Sequence, residues 1–209
     1  MIELGQFLSR LLPQVPGCSE PLAYQSLLDS AIEFCEKSLA IRQNLDAFFT
    51  VDNRRVYDLD PPTRNHVIAR VISVTVDGKP LTGLFEEDVP NLSDSQGRPL
   101  LFYTTRIDNE FVLNLYPVPD ERLPVIVHAA LKPTRNATEV DDDLFNIWSE
   151  AVIDGAISRI ARIPNQPFSD VNYASAMASS AREKISRARI EAYHGRVRGG
   201  TSVKLRPFV

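Results

Sequence analysis

Three histidines, two cysteines and a run of three aspartates are the residues of this chain best suited to chemistry. His66, His128 and His194 are far apart in sequence, and none stands at zinc spacing to a second ligand. Cys18 and Cys35 do not form a Cys-x-x-Cys pair, so no local zinc set exists. Asp141-Asp142-Asp143 lacks the alternating acids and central glycine of a calcium loop. It fits the first turn of a helix, where the positive end of the helix dipole favours carboxylates. Glu86-Glu87-Asp88 reads as a solvated loop. There is no phosphate-cradling glycine motif and no nucleophile elbow. A serine–histidine–carboxylate triad needs no adjacency in sequence, but no serine here has a context that singles it out. The expectation is a protein with no catalytic residue, no metal ligand and no cofactor.

Charge is the stronger signal. From Arg182 onward there are eight Lys and Arg against two Glu, a net +6. The chain totals −4, so the remainder carries −10. The last residues, 199–209, follow a Gly-Gly pair and set Val203, Leu205 and Phe208 around Lys204 and Arg206. Apolar residues have no purpose in a tail that only adds solubility. The segment therefore reads as an extended arm that orders on binding a partner. Arg196, Arg198, Lys204, Leu205, Arg206 and Phe208 are its candidate contact residues. Sequence-specific DNA binding is not indicated, because no recognition-helix motif is present and the whole chain is acidic.

A different use of side chains is conceivable among the strands. Phe102, Tyr103, Phe111 and Tyr116 could stack on sugars, making a carbohydrate- or receptor-binding β module anchored by helices. Adjacent strand residues point to opposite faces, so at most half of the four share one surface.

The elements that must position these groups fall into three blocks. Residues 2–12 read as a short helix closed by Pro13 and Pro16-Gly17. A second helix starts near Ser19, with Pro21 in its first turn, and runs to about Arg42 along Leu28, Ile32, Cys35 and Leu39. Short β-type runs follow: 47–51 and 54–59 as a hairpin about Asp52-Asn53, 67–76 ending at Asp77-Gly78, 101–105 and 110–116 as a hairpin, and 123–131. Residues 84–100 read as a long loop. Then Leu144, Ile147, Trp148, Ala151, Ile153, Ile157 and Ile160 mark one amphipathic helix. Pro164 ends it. Tyr173, Met177, Ala181, Ile185, Ala188 and Ala192 mark a second, and the pair reads as an antiparallel hairpin.

The fold class expected is α+β: an α-helical bundle of four helices with an inserted small antiparallel β-sandwich or barrel and an extended C-terminal arm. Residues 1–43 and 134–198 would form the discontinuous helical domain, 44–133 the insert and 199–209 the arm. The 209 residues, 44% apolar and 24% charged, suffice for a real core. Two cysteines make no disulfide framework, and a reduced, intracellular place of assembly is expected. No secretion signal and no membrane-spanning run is seen.

One family shares this pattern. The chain resembles bacteriophage head-to-tail adaptor (connector) proteins of the long type, in which a β domain interrupts a helical bundle. The resemblance rests on Leu115-Tyr116-Pro117-Val118-Pro119, the strand from Leu123 to Pro133, and Asp141-Asp142-Asp143-Leu144-Phe145 with Trp148. It continues through Ile153-Asp154-Gly155-Ala156, Arg159, Ile163-Pro164, Pro167-Phe168 and Ala188-Arg189. It implies a structural, non-enzymatic virion protein at the head-to-tail interface, assembled in the bacterial host cytoplasm. It also implies a homo-oligomeric ring, a dodecamer, beneath the portal protein. That ring would extend the DNA channel and carry the tail (nozzle or tube) protein, with the C-terminal segment reaching toward the portal. DNA would pass without specific contacts, which suits an acidic body, since phosphate contacts dominate affinity for DNA.

Overall fold

The structure, a computed structural model, describes residues 1–85, 88, 95–107 and 110–195. It is mixed α+β. After one short N-terminal strand, helices lie toward both ends of the described chain and most strands fill its middle.

The N-terminal segment is not one helix. Ile2–Glu3 (β1) pairs antiparallel with Glu139–Val140 (β11). A 3-10 turn, Leu4–Phe7, runs into one α turn, Leu8–Leu11 (α1), and then a second 3-10 turn, Leu12–Gln14. The apolar positions are nonetheless used, since Leu4, Phe7, Leu11 and Val15 are buried. Pairing with β11 and early prolines leave room only for short helical turns.

Glu20–Ser38 (α2) follows Ser19, which takes the N-cap position without a side-chain bond. The helix stops four residues earlier than its pattern suggests. Leu39 turns left-handed at φ 53°. Arg42–Asn44 (β2) then pairs with Pro124–Pro133 (β10). The register formed with β10 outweighs the local helical preference.

The strands form two sheets besides the β1–β11 ribbon. In the first, β2 and Phe48–Phe49 (β3) both pair with β10, which pairs in turn with His66–Val76 (β5) and through it with Lys79–Pro80 (β6). Asp77 and Gly78 both have positive φ, as the tight turn between β5 and β6 demands. The second sheet orders Val56–Leu59 (β4), Glu110–Tyr116 (β9), Leu101–Ile107 (β8) and Thr82–Gly83 (β7). The Asp52-Asn53 turn therefore does not close a hairpin. It sends β3 to one sheet and β4 to the other. Tyr57 Oη fixes the turn, accepting from Val51 N–H at 3.0 Å and donating to the Arg54 carbonyl at 2.7 Å.

The aspartate run starts a helix as its composition dictates. Asp141 is the N-cap and accepts from the Asp143 N–H at 3.0 Å. This helix is interrupted, however. Asp142–Asn146 (α3) ends, and Ser149–Ile160 (α4) begins after Trp148, whose ring packs on Phe34 with centroids 5.5 Å apart. Seating the indole turns Ile147 outward, where it is 43% exposed. Helix α4 is buried on almost every side and packs between α2 and Val171–His194 (α5). Ala174, Ala181 and Ala188, seven residues apart, are the buried positions of α5. Their small side chains let α5 come close. Apolar residues of both sheets join those of the helices in one continuous core.

Candidate assembly surface

The six arm residues singled out from sequence, Arg196, Arg198, Lys204, Leu205, Arg206 and Phe208, lie outside the described residues. What is described is the helix that carries them. Helix α5 is capped by Asp170, which accepts from the Tyr173 N–H at 2.9 Å. It is clamped to α4 through Asp154, which accepts from Ser180 Oγ at 2.7 Å and from Lys184 Nζ at 2.8 Å. Lys184 also reaches Glu150 at 3.1 Å. Burial pulls the Lys184 ammonium down, but the two carboxylates outweigh it and hold its pKa above the ordinary value. The last turns of α5 leave Ile190 and Tyr193 open to solvent, 61% and 82% exposed. The arm thus departs from a firmly held helix with an apolar tip.

Beside α5 runs a groove. One part, about 350 Å³, lies between α2, α4 and α5 and is lined by Ser30, Glu33, Gly155, Arg159, Arg162 and Arg182 among others. A second part, about 410 Å³, shares Arg182 and Ile185 with the first and continues to Lys37, Arg70 and Arg189. Its floor is narrow because Gly155 lacks a side chain. A Cβ there would lie 2.1 Å from Ser30 Oγ. Glu33 pairs with both Lys37 and Arg159. Burial pushes the Glu33 carboxyl up, and the two cations more than reverse that, leaving its pKa lowered. Arg182 donates to the Ala178 carbonyl and Ser179 Oγ of its own helix. No carboxylate among the described residues pairs with Arg70, Arg162, Arg182 or Arg189. Reading the chain in order does not find this groove, since its arginines come from β5, α4, the turn after α4 and α5. The one visible hint is spacing: Arg182 and Arg189 at i, i+7 share a face of α5.

The groups with chemical potential are dispersed. His66 is buried with Nδ1 2.9 Å from Thr63 Oγ1. Burial lowers its pKa, and Asp141 opposes that in part. His128 lies beside Asn44 Oδ1 at 2.9 Å, and burial with Arg42 nearby lowers its pKa too. His194 sits edge-on to Tyr193. Both thiols are free, and burial pushes Cys35 far up, so it is protonated and inert. No group of His, Cys, Asp and Glu that could hold a metal exists among the described residues. Of the aromatic quartet, Phe102 is core and Phe111 lies under Arg106 at 4.5 Å. Tyr103 and Tyr116 share the other face of their hairpin. A more exposed aromatic, Phe49, escaped notice in the sequence. It is half exposed on β3 and covered by Arg122 at 4.4 Å.

No helix among the described residues is long and apolar enough to cross a membrane. The family model described as SU10 adaptor protein matches residues 4–200. No curated protein matches the chain.

Proposed function

We propose a head-to-tail role in the phage virion for this chain, which belongs to the SU10 adaptor protein family, a family of structural phage adaptors and not of enzymes. Copies of the chain form a ring, a dodecamer, under the portal protein. The ring continues the DNA channel and gives the tail nozzle or tube protein its platform. It takes its place in the virion after assembly in the host cytoplasm. The helical parts, residues 1–43 and 134–198, act as the ring-forming domain, a bundle built around α2, α4 and α5. Residues 44–133 act as a two-sheet insert of sandwich or barrel type that faces the tail. The arm, 199–209, docks on the portal through Arg196, Arg198, Lys204, Leu205, Arg206 and Phe208.

The observation that carries this reading is the extent of the family match, which takes in the helices, both sheets and the start of the arm. One feature of the charge supports it. A ring needs one face of a subunit to complement a different face of the next. A −10 body ending in a +6 segment provides such complementarity, which orients docking more than it tightens it.

The test is the mass of the purified protein in solution, alone and mixed with portal from the same virus. A closed ring, or a monomer that becomes a ring only on portal, is expected. Deleting Gly199 to Val209 should abolish portal docking and leave the fold intact, while normal docking by the truncated protein would remove the arm from the mechanism.

A further inference from the structure

The groove beside α5 has more positive charge than the fold uses. Glu33 answers Lys37 and Arg159, and Glu36 is taken by Lys132. Arg70, Arg162 and Arg189 are exposed and have no carboxylate partner among the described residues. Guanidinium groups that line one groove from a strand, a turn and a helix suit carboxylates.

The same chain carries the opposite imbalance elsewhere. Glu3 and Glu139 are directly opposed across the β1–β11 pair. Directly opposed like charges destabilise a strand pair. Neither glutamate has an ion-pair partner among the described residues. Asp141 and Asp142 follow within three residues, and of these only Asp142 meets a cation, the Met1 amine at 2.8 Å. Val140 anchors this ribbon in the core, and Glu3, exposed, and Glu139, half-buried, form an acidic edge at the surface.

We propose that the arginine groove of one copy receives the Glu3–Glu139 ribbon of a second copy, forming the repeated contact between neighbours. The inference rests on the ring reading given above and names the surfaces that would build the ring. Groove and ribbon are different parts of the chain, so the contact is head-to-tail, the type that closes rings. The chain's own arm is disfavoured as occupant by its sign, since the Lys204 and Arg206 of residues 199–209 would meet arginines without a carboxylate partner. Duplex DNA is disfavoured by charge, since the rest of the chain carries −10 and phosphate contacts dominate affinity for DNA.

Charge exchange tests this. R162E/R189E reverses the charge at two groove arginines that have no hydrogen bond or ion pair among the described residues. E3K/E139K reverses the ribbon and keeps a like-charge pair there. The full-length protein and both variants are sized by light scattering, alone and with portal. The unmodified protein is expected to assemble, and each variant alone to assemble at least ten-fold more weakly. An equimolar mixture of the two variants should recover assembly, because every interface then pairs opposite charges, and recovery also shows that both variants are folded. Variants that assemble like the unmodified protein would overturn the proposal and leave the ring reading standing. Failure of the mixture to recover would overturn it as well. An unmodified protein that stays monomeric with portal would remove the ring reading itself and this contact with it. Loss of duplex DNA binding in R162E/R189E with assembly unchanged would reassign the groove to phosphate.

Discussion

A methyl group on Gly155 would lie 2.1 Å from the hydroxyl of Ser30, so α2 and α4 touch at a point where only glycine fits. Ser30 Oγ is not free to turn away, because it donates to the Val152 carbonyl at 2.7 Å. Behind it, Ala181 of α5 stands 4.0 Å from the same position. Three helices therefore converge on one backbone, and the floor of the arginine groove is set there.

Gly155→Ala should destabilise the protein. Overpacking costs about 1–3 kcal/mol, and the better helix propensity of alanine offsets about 1 kcal/mol of it. Adding Ser30→Ala removes the near contact and leaves Ser30 Cβ at 3.3 Å. Urea unfolding should show a double variant closer to the unmodified protein than Gly155→Ala alone. Equal effects on either background would disprove the contact.

Tyr57→Phe should weaken the turn that separates the two sheets. The phenol is buried and satisfies both Val51 N–H and the Arg54 carbonyl. Losing it strands two backbone groups, about 1–2 kcal/mol. Limited proteolysis should cut first between residues 51 and 55. An unchanged unfolding midpoint would contradict the role given to this hydroxyl.

Lys184→Met should loosen α5 from α4 by about 1 kcal/mol, the scale of a partly buried ion pair. Its pKa in the folded protein is raised above the unfolded 10.5. The contribution is then complete below pH 10.5 and fades as pH rises through the folded value. The stability gap between the two proteins should accordingly be flat from pH 6 to 9 and close in stronger alkali. A gap that narrows on acidification instead, before the carboxylates themselves titrate, would refute the assignment.

Acid should destabilise the fold through His66 and His128. Both have folded pKa values lowered from 6.5, so the unfolded chain binds protons more readily. Stability from this source is present above pH 6.5 and is lost as pH falls below it. His66→Gln should flatten the fall in thermal midpoint between pH 7 and 5, and His128→Gln, the less buried site, should flatten it less. A profile unchanged by either substitution would exclude the histidines as its cause.

Periodicity and punctuation set out most of the elements in advance. The β-branched run of β5, the Asp77-Gly78 turn, the aspartates at the start of a helix and the α4–α5 hairpin are local, and each rests on backbone preferences that a few neighbouring residues decide. Whatever depended on a distant partner was out of reach. The early end of α2 at Ser38, the assignment of β3 and β4 to different sheets, and the break at Trp148 each follow from a contact far along the chain, with β10, β9 and Phe34. The groove shows the same division. Its arginines are plain as letters, but Arg70 of β5, Arg162 after α4 and Arg189 of α5 come to line one groove, through the Arg182 and Ile185 that its two parts share, only in the folded chain, since charge acts through distance in space and not along the chain.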